Sequence, residues 1–263
     1  MAVYRPDDDR PRALMILLHG QGSHAGDFTE MGEYLAERGI AAFVPDQRGF
    51  GRYPGLKGHV MNFDEYIEDI QNIVMQVKDR YLNKITYLFG SSMGAINAIR
   101  YLIRYPRTVD GLLLQCPGVS HRTEIGIGLL TAARFLSILN VKRYFELNPE
   151  YSDTSRNPDT IERHKKDPLR FEKVTARFSS EVLSASKDAF HSASKILLPI
   201  LVQQAGDDKA VDVEKNKEFF DNLASADKTW KLYDGLYHEI HEEPERESVL
   251  TDLYEWLNKR LPS

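Results

Sequence analysis

A chain of 263 residues, 42% hydrophobic and 28% charged, has enough material for one large α/β domain with or without an insertion. Its net charge of −5 gives no electrostatic ground for nucleic-acid binding, and a single cysteine, Cys116, excludes an internal disulfide and fits a reducing compartment. The start, Met1 to Asp9, lacks an apolar core of signal-peptide length, and no run approaches the roughly 20 apolar residues that span a bilayer, so a cytoplasmic location is expected.

Short apolar runs alternate with longer amphipathic ones. The chain opens on a brief Ala2-Val3-Tyr4, and the first strong strand is Ala13–Leu18. A helix over Asp27–Arg38 follows, with Asp27 and Glu30 spaced like a capping box. Next come a strand at Ile40–Val44 and a helix over Phe63–Tyr81, whose Tyr66, Ile67, Ile70, Ile73, Val74 and Val77 recur at helical spacing. A strand at Ile85–Phe89 leads into a helix at Met93–Tyr105, and a further strand is expected at Gly111–Gln115. The alternation then breaks from about Val119 to Lys195. There the mostly apolar Ile125–Leu139 precedes some fifty residues of mixed sign punctuated by Pro149, Pro158 and Pro168. It resumes with strands at Leu197–Gln203 and Thr229–Tyr233 and helices at Val213–Ala224 and Glu245–Lys259. Strands that are apolar throughout and alternate with helices imply a mostly parallel sheet covered on both faces. The expected organisation is a core of residues 1–118 and 196–263, with 119–195 inserted as a helical cap.

Residues Gly90-Ser91-Ser92-Met93-Gly94 read G-x-S-x-G between a strand and a helix. That context holds the middle serine on a strained turn with its oxygen exposed above the sheet. A serine hydroxyl needs a base to take its proton, and the base needs an acid to fix its tautomer. In this fold the order is Ser, then Asp or Glu, then His, each on a loop after a strand. The loop after Leu197–Gln203 offers Asp208, with Asp207 as its rival, and Asp212 as a cap for the next helix. The loop after Thr229–Tyr233 offers His238, whereas His241, set among acids, reads as a solvated surface residue. The turn His19-Gly20-Gln21-Gly22 ends the first strong strand. Negative charge on a reacting carbonyl oxygen needs two N–H donors, and here they would be the amides of Gln21 and Met93, with His19 as a structural hydrogen-bonding residue. Histidines and carboxylates do not cluster at ligand spacing along the sequence, so no metal is expected, and nothing calls for a cofactor.

Taken together, these segments resemble the monoacylglycerol lipase and lysophospholipase branch of the α/β-hydrolases, a group also filed with serine aminopeptidase-like hydrolases. The likeness is carried in colinear order by His19–His24, Pro45–Gly51, Gly58-His59, Phe63–Asp69, Gly90–Gly94, Asp167-Pro168-Leu169, Gly206–Asp212 and Tyr237-His238-Glu239 followed by Glu242. It implies a Ser92–Asp208–His238 triad, favouring Asp208 over Asp207, and an oxyanion hole from Gln21 and Met93. It further implies a serine carboxylester hydrolase that cleaves monoacylglycerols, with a lysophospholipase or a general short-chain carboxylesterase as the alternatives. A non-catalytic lipid-binding protein is the reading from a different class. The implied partner is a monoacyl lipid or other small ester. The segment Ile125–Leu139 reads either as a helix packed on the core or as a cap helix, and in the second case Ile125, Leu129 and Phe135 would line an acyl tunnel and the cap would touch a membrane surface transiently. Two departures stand out. Ser91 occupies the place where such enzymes commonly carry histidine, and only Ala2-Val3-Tyr4 precedes the first strong strand, so a sheet lacking its first strand is expected.

Overall fold

A computed structural model describes residues 1–120, 142–146 and 151–261. Ile125, Leu129 and Phe135, and with them the Ile125–Leu139 segment, lie outside the described residues. The elements run β1 (Ala2–Tyr4), β2 (Ala13–Leu18), α1 (Thr29–Ala36), β3 (Ile40–Val44), α2 (Asp64–Arg80), β4 (Thr86–Ser91), α3 (Met93–Arg104) and β5 (Gly111–Gln115). Then come β6 (Tyr144–Glu146), α4 (Pro158–Lys166), β7 (Lys173–Thr175), α5 (Ala176–His191), β8 (Ile200–Ala205), α6 (Val213–Asp221), β9 (Lys228–Tyr233) and α7 (Arg246–Asn258).

The main sheet has seven strands in the order β1-β3-β2-β4-β5-β8-β9. Every neighbouring pair is parallel except β1 with β3, which run antiparallel with Ala2 opposite Val44. The three-residue Ala2-Val3-Tyr4 therefore is a strand, and among the described residues it forms the sheet's edge. Side chains alternate across a strand, so Leu14, Ile16 and Leu18 of β2 face one layer while Ala13, Met15 and Leu17 face the other. The first layer is packed by α2, α3 and α5, with Tyr66, Ile67, Ile70, Val74 and Val77 of α2 buried as the helical spacing requires. The second is packed by α1 and α7, through Met31, Leu35, Leu250, Leu253 and Leu257. Both faces being covered is why the central strands are apolar throughout, and the architecture is α/β-hydrolase. No helix among the described residues is long and apolar enough to cross a membrane.

The structure changes several sequence-based expectations. The β8 strand sits later than expected, at Ile200–Ala205, because the exposed Leu197 and the following Pro199 lie outside the ladder. The helix expected from Asp27 begins instead at Thr29, after a short 3-10 turn, Ala25–Phe28, capped by the His24 ring, which accepts from the Gly26 amide. Asp27 is turned inwards and accepts from Ser23 Oγ at 2.6 Å, so it does not form the capping box. Between β5 and β8 the described residues hold α4, α5 and a small antiparallel pair, β6 with β7. Short strands of this kind carry too little periodic pattern to be read from sequence.

Candidate active site

The strand-to-helix turn after β4 places Ser92 at φ 53°, ψ −116°, a region that side chains rarely adopt. Close packing enforces it. A Cβ on Gly90 would lie 2.3 Å from the Gly94 carbonyl oxygen, and one on Gly94 would lie 2.1 Å from the Leu18 carbonyl oxygen. The two glycines thus let the start of α3 sit directly against β2. The Ser92 amide donates to the Gln115 carbonyl at 3.0 Å and the Gly118 amide to the Ser92 carbonyl at 3.0 Å, tying the turn to the end of β5.

His238 stands on the loop after β9, and its Nε2 is 2.9 Å from Ser92 Oγ. Its Nδ1 is 2.8 Å from one Asp208 oxygen and 3.0 Å from the other. With Nδ1–H donating to the carboxylate, Nε2 is left to accept the serine hydroxyl. Burial works against the imidazolium, yet the charge and hydrogen bond of Asp208 outweigh it and raise the His238 pKa above the ordinary imidazole value. Asp208 shows the same competition. Burial pushes its carboxyl up, but His238 and the Val211 and Ala210 amides, at 3.0 and 2.9 Å, hold it below the usual range. Gln204 Nε2 adds a donor at 3.2 Å. Asp207 makes no such approach: its amide donates to the Leu236 carbonyl at 3.1 Å, and it is Asp208 that meets the imidazole.

The His19–Gly22 turn lies beside the serine, where a Cβ on Gly20 would come within 3.2 Å of Ser92 Cβ. Gln21 and Met93 line the same cavity as Ser92, about 280 Å³, with Ile96, Val182 and Leu183 among its apolar walls. Met93 opens α3, so its amide belongs to the positive end of the helix dipole. His19 is buried. Its Nδ1 lies 2.7 Å from the Gly20 carbonyl, its Nε2 accepts the Gln47 amide at 2.9 Å, and burial lowers its pKa to about 4. It is therefore a neutral frame for the turn.

His241 does not sit in solvent. It is buried, stacked on Phe28 at 4.6 Å between centroids, with Nδ1 2.6 Å from Gln115 Oε1. Its acidic neighbours in sequence fold inwards with it. Histidines and carboxylates that are far apart along the sequence come together in space. His24, Asp27 and Asp167 form one close group, and Asp27, His164 and Glu242 another. Guanidinium groups occupy these clusters: Arg170 Nη2 lies 2.9 Å from Asp27 and Arg163 pairs with Glu242. Cys116, at the end of β5, is buried within 4.8 Å of the Asp208 and His238 ligand atoms, and burial raises its thiol pKa. Neither Cys116 nor Arg170 carried a sequence signal beyond its nearness to a motif.

The serine aminopeptidase S33 family of hydrolases matches residues 9–245, most of the chain. The chain belongs to that family. Among relatives of this S33 hydrolase, phospholipase YtpA of Bacillus subtilis is 32% identical over 92% of this chain and 93% of its own. The monoacylglycerol lipase of Mycolicibacterium smegmatis is 28% identical, covering 98% of this chain and 92% of its own. The crystal structure of the Paleococcus ferrophilus monoacylglycerol lipase superposes with a TM-score of 0.88 at 26% identity, over 97% of this chain and 96% of its own.

Proposed function

We propose that this S33 hydrolase cleaves monoacylglycerols to fatty acid and glycerol through an acyl-enzyme on Ser92. The observation that carries the reading is the continuous relay from Ser92 Oγ through His238 to Asp208, opening on an apolar cavity. His238 Nε2 takes the Ser92 proton as Oγ attacks the ester carbonyl. The resulting oxyanion sits on the Gln21 and Met93 amides, each such donor being worth about 10²–10³ in rate. When the C–O bond to glycerol breaks, the imidazolium returns its proton to the departing alkoxide. Water, deprotonated by His238, then attacks the acyl carbonyl, and Ser92 leaves with the proton. Asp208 keeps the imidazole in the required tautomer and stabilises its charged form. The apolar walls from Ile96, Val182 and Leu183 suit an acyl chain, and the monoacylglycerol lipase relatives supply the head group.

A phospholipase is the second reading, favoured by the YtpA relative. Initial rates on 1-monoacylglycerols, lysophosphatidylcholine and short p-nitrophenyl esters, with Ser92→Ala as control, separate the two. Ser92-dependent turnover of monoacylglycerol in preference to lysophospholipid is expected. Preference for lysophospholipid would transfer the assignment, and turnover unaffected by Ser92→Ala would remove the mechanism.

A further inference from the structure

The segment after α4 crosses over both halves of the candidate site. The Phe171 amide donates to the Gly22 carbonyl at 3.0 Å, reaching the turn that carries Gln21. One residue earlier, the Arg170 side chain is buried, 7% exposed, and its Nη2 reaches His164 Nε2 at 2.9 Å as well as two carboxylates. That nitrogen lies 2.9 Å from Asp27 Oδ2, the oxygen that also accepts from Ser23 in the same turn. It lies 3.2 Å from Glu239 Oε1, on the residue that directly follows His238. Glu239 is fixed from its other side as well, its amide donating to the Thr154 carbonyl at 2.8 Å. A single guanidinium nitrogen therefore joins the loop of the base to the turn of the oxyanion donor.

Its energetics are those of a clamp rather than a surface ion pair. Both carboxylates are largely buried, at 3% and 15% side-chain exposure, so their attraction to Arg170 is weakly screened. Remove the guanidinium and, of the groups between the two buried carboxylates, His164 remains, 3.9 Å from Asp27 and 3.4 Å from Glu239. These contacts are longer than those of Arg170 and hold the two loops less closely, while Ser92, on its own elbow, does not follow them.

We propose that Arg170 is a positioning residue, clamping Asp27 and Glu239 so that the Gln21 turn and His238 keep their places around Ser92. This inference rests on the proposed acyl-transfer chemistry at Ser92 but not on the monoacylglycerol assignment. It is tested on the full chain by the second-order rate of Ser92 labelling by a fluorophosphonate probe, which needs serine, base and oxyanion hole but no lipid site. Labelling is measured well below the melting temperature of each variant, beside kcat and KM on p-nitrophenyl butyrate. Arg170→Gln is expected to slow labelling and kcat about 10–100-fold, the scale of a misplacement near 1 Å, with KM little changed. Arg170→Lys, which returns one charged nitrogen, recovers part of that loss. The pair Arg170→Gln/Glu239→Gln loses about what the worse single variant loses, because both remove the same clamp.

Folded Arg170→Gln that labels at the wild-type rate would overturn the clamp, as would a lysine variant no better than glutamine, or single losses that multiply in the double. If Arg170→Gln does not fold, Glu239→Gln carries the same test, and unchanged labelling there overturns the proposal. Failure of the wild type to turn over monoacylglycerol while it still labels would count against the substrate reading alone. Absence of wild-type labelling would remove the acyl-transfer reading and the clamp together.

Discussion

Gly94→Ala should damage catalysis far more than stability. Its Cβ would stand 2.1 Å from the Leu18 carbonyl oxygen and 2.7 Å from that of His19, both backbone atoms that have no rotamer to change. Cβ contacts below 3.0 Å are essentially never seen, so the start of α3 and the end of β2 must part by at least 3.0 − 2.1 = 0.9 Å. Overpacking of this size costs about 1–3 kcal/mol, and a domain of this length loses about 2–4 °C in Tm per kcal/mol. The movement falls on the elbow itself, displacing Ser92 Oγ and the Met93 amide relative to the Gln21 turn. A shift near 1 Å costs about 10²-fold, and weakening one oxyanion donor adds up to about 10²–10³ more if the two do not overlap. An expected fall in kcat/KM of at least 10²-fold follows. The assay is hydrolysis of p-nitrophenyl butyrate, with thermal melting to establish the folded fraction. Gly39→Ala is the control. At φ +79° it adopts a left-handed conformation worth about 1–2 kcal/mol against alanine. Its Cβ would meet only the flexible Arg12 side chain, at 3.1 Å, and it lies just before β3, at the end of the strand away from the site. It should lower Tm and leave kcat/KM alone. A folded Gly94→Ala within threefold of wild type would refute the elbow argument.

The base must be neutral to accept a proton, so kcat/KM should fall as pH drops through the raised His238 pKa, with an acid limb above 6.5; a limb below that value would contradict the Asp208–His238 pairing. Asp208→Asn removes the charge and leaves the burial, so the limb should move down and kcat should fall on the order of 10⁴-fold, as loss of the acid does in other triads; an unchanged profile would return Asp207 to contention. Filling the cavity with Val182→Trp should cut kcat/KM for p-nitrophenyl decanoate at least ~10-fold more than for the acetate, since the lost room is that of several methylenes; equal losses would place the acyl chain elsewhere.

What could be read from the sequence was what local pattern determines. Strands buried on both faces are apolar throughout, helices such as α2 repeat their apolar residues at fixed spacing, and glycines mark where backbones touch, so the α/β-hydrolase sheet was readable from Ala13 to Tyr233. The spatial meeting of Ser92, His238 and Asp208 was anticipated for a related reason: in this fold each follows a strand, and strand order fixes which loops converge. Long-range polar packing was not readable. Asp27 looked like a helix cap because Glu30 stands three residues on, yet Ser23 and Arg170 claim its carboxylate from the other direction. His241 looked solvated because its sequence neighbours are acidic. Phe28 and Gln115, far away in the chain, bury it. Nothing local encodes a partner more than a hundred residues distant. The segment Ala2-Val3-Tyr4 stood out in the sequence but could not be read as β1, since three residues carry no period.

Gln47 and His19 give the last test, the first of whether the turn is braced and the second of whether His19 is frame or chemistry. The Gln47 side chain donates through Nε2 to the His19 carbonyl at 2.5 Å and accepts Asn97 Nδ2 at 2.6 Å, linking the loop after β3 to the His19–Gly22 turn and to α3. Its backbone amide, at His19 Nε2, is a separate contact that a substitution keeps. Gln47→Leu would bury two polar groups without these partners, at about 1–3 kcal/mol each, so urea unfolding should register a loss of about 2–6 kcal/mol. Because His19 is held neutral down to about pH 4, its folded pKa is depressed. Its contribution is present above 6.5 and is lost as pH falls from there through about 4. Wild type should therefore lose stability across that acid window, and a His19→Asn variant should lose less of it, while the acid limb of kcat/KM stays with His238. A Gln47→Leu variant within 0.5 kcal/mol of wild type, roughly the scatter of surface substitutions, would mean that these bonds do not brace the turn. An acid limb that moved with His19 instead of Asp208 would make His19 part of the chemistry.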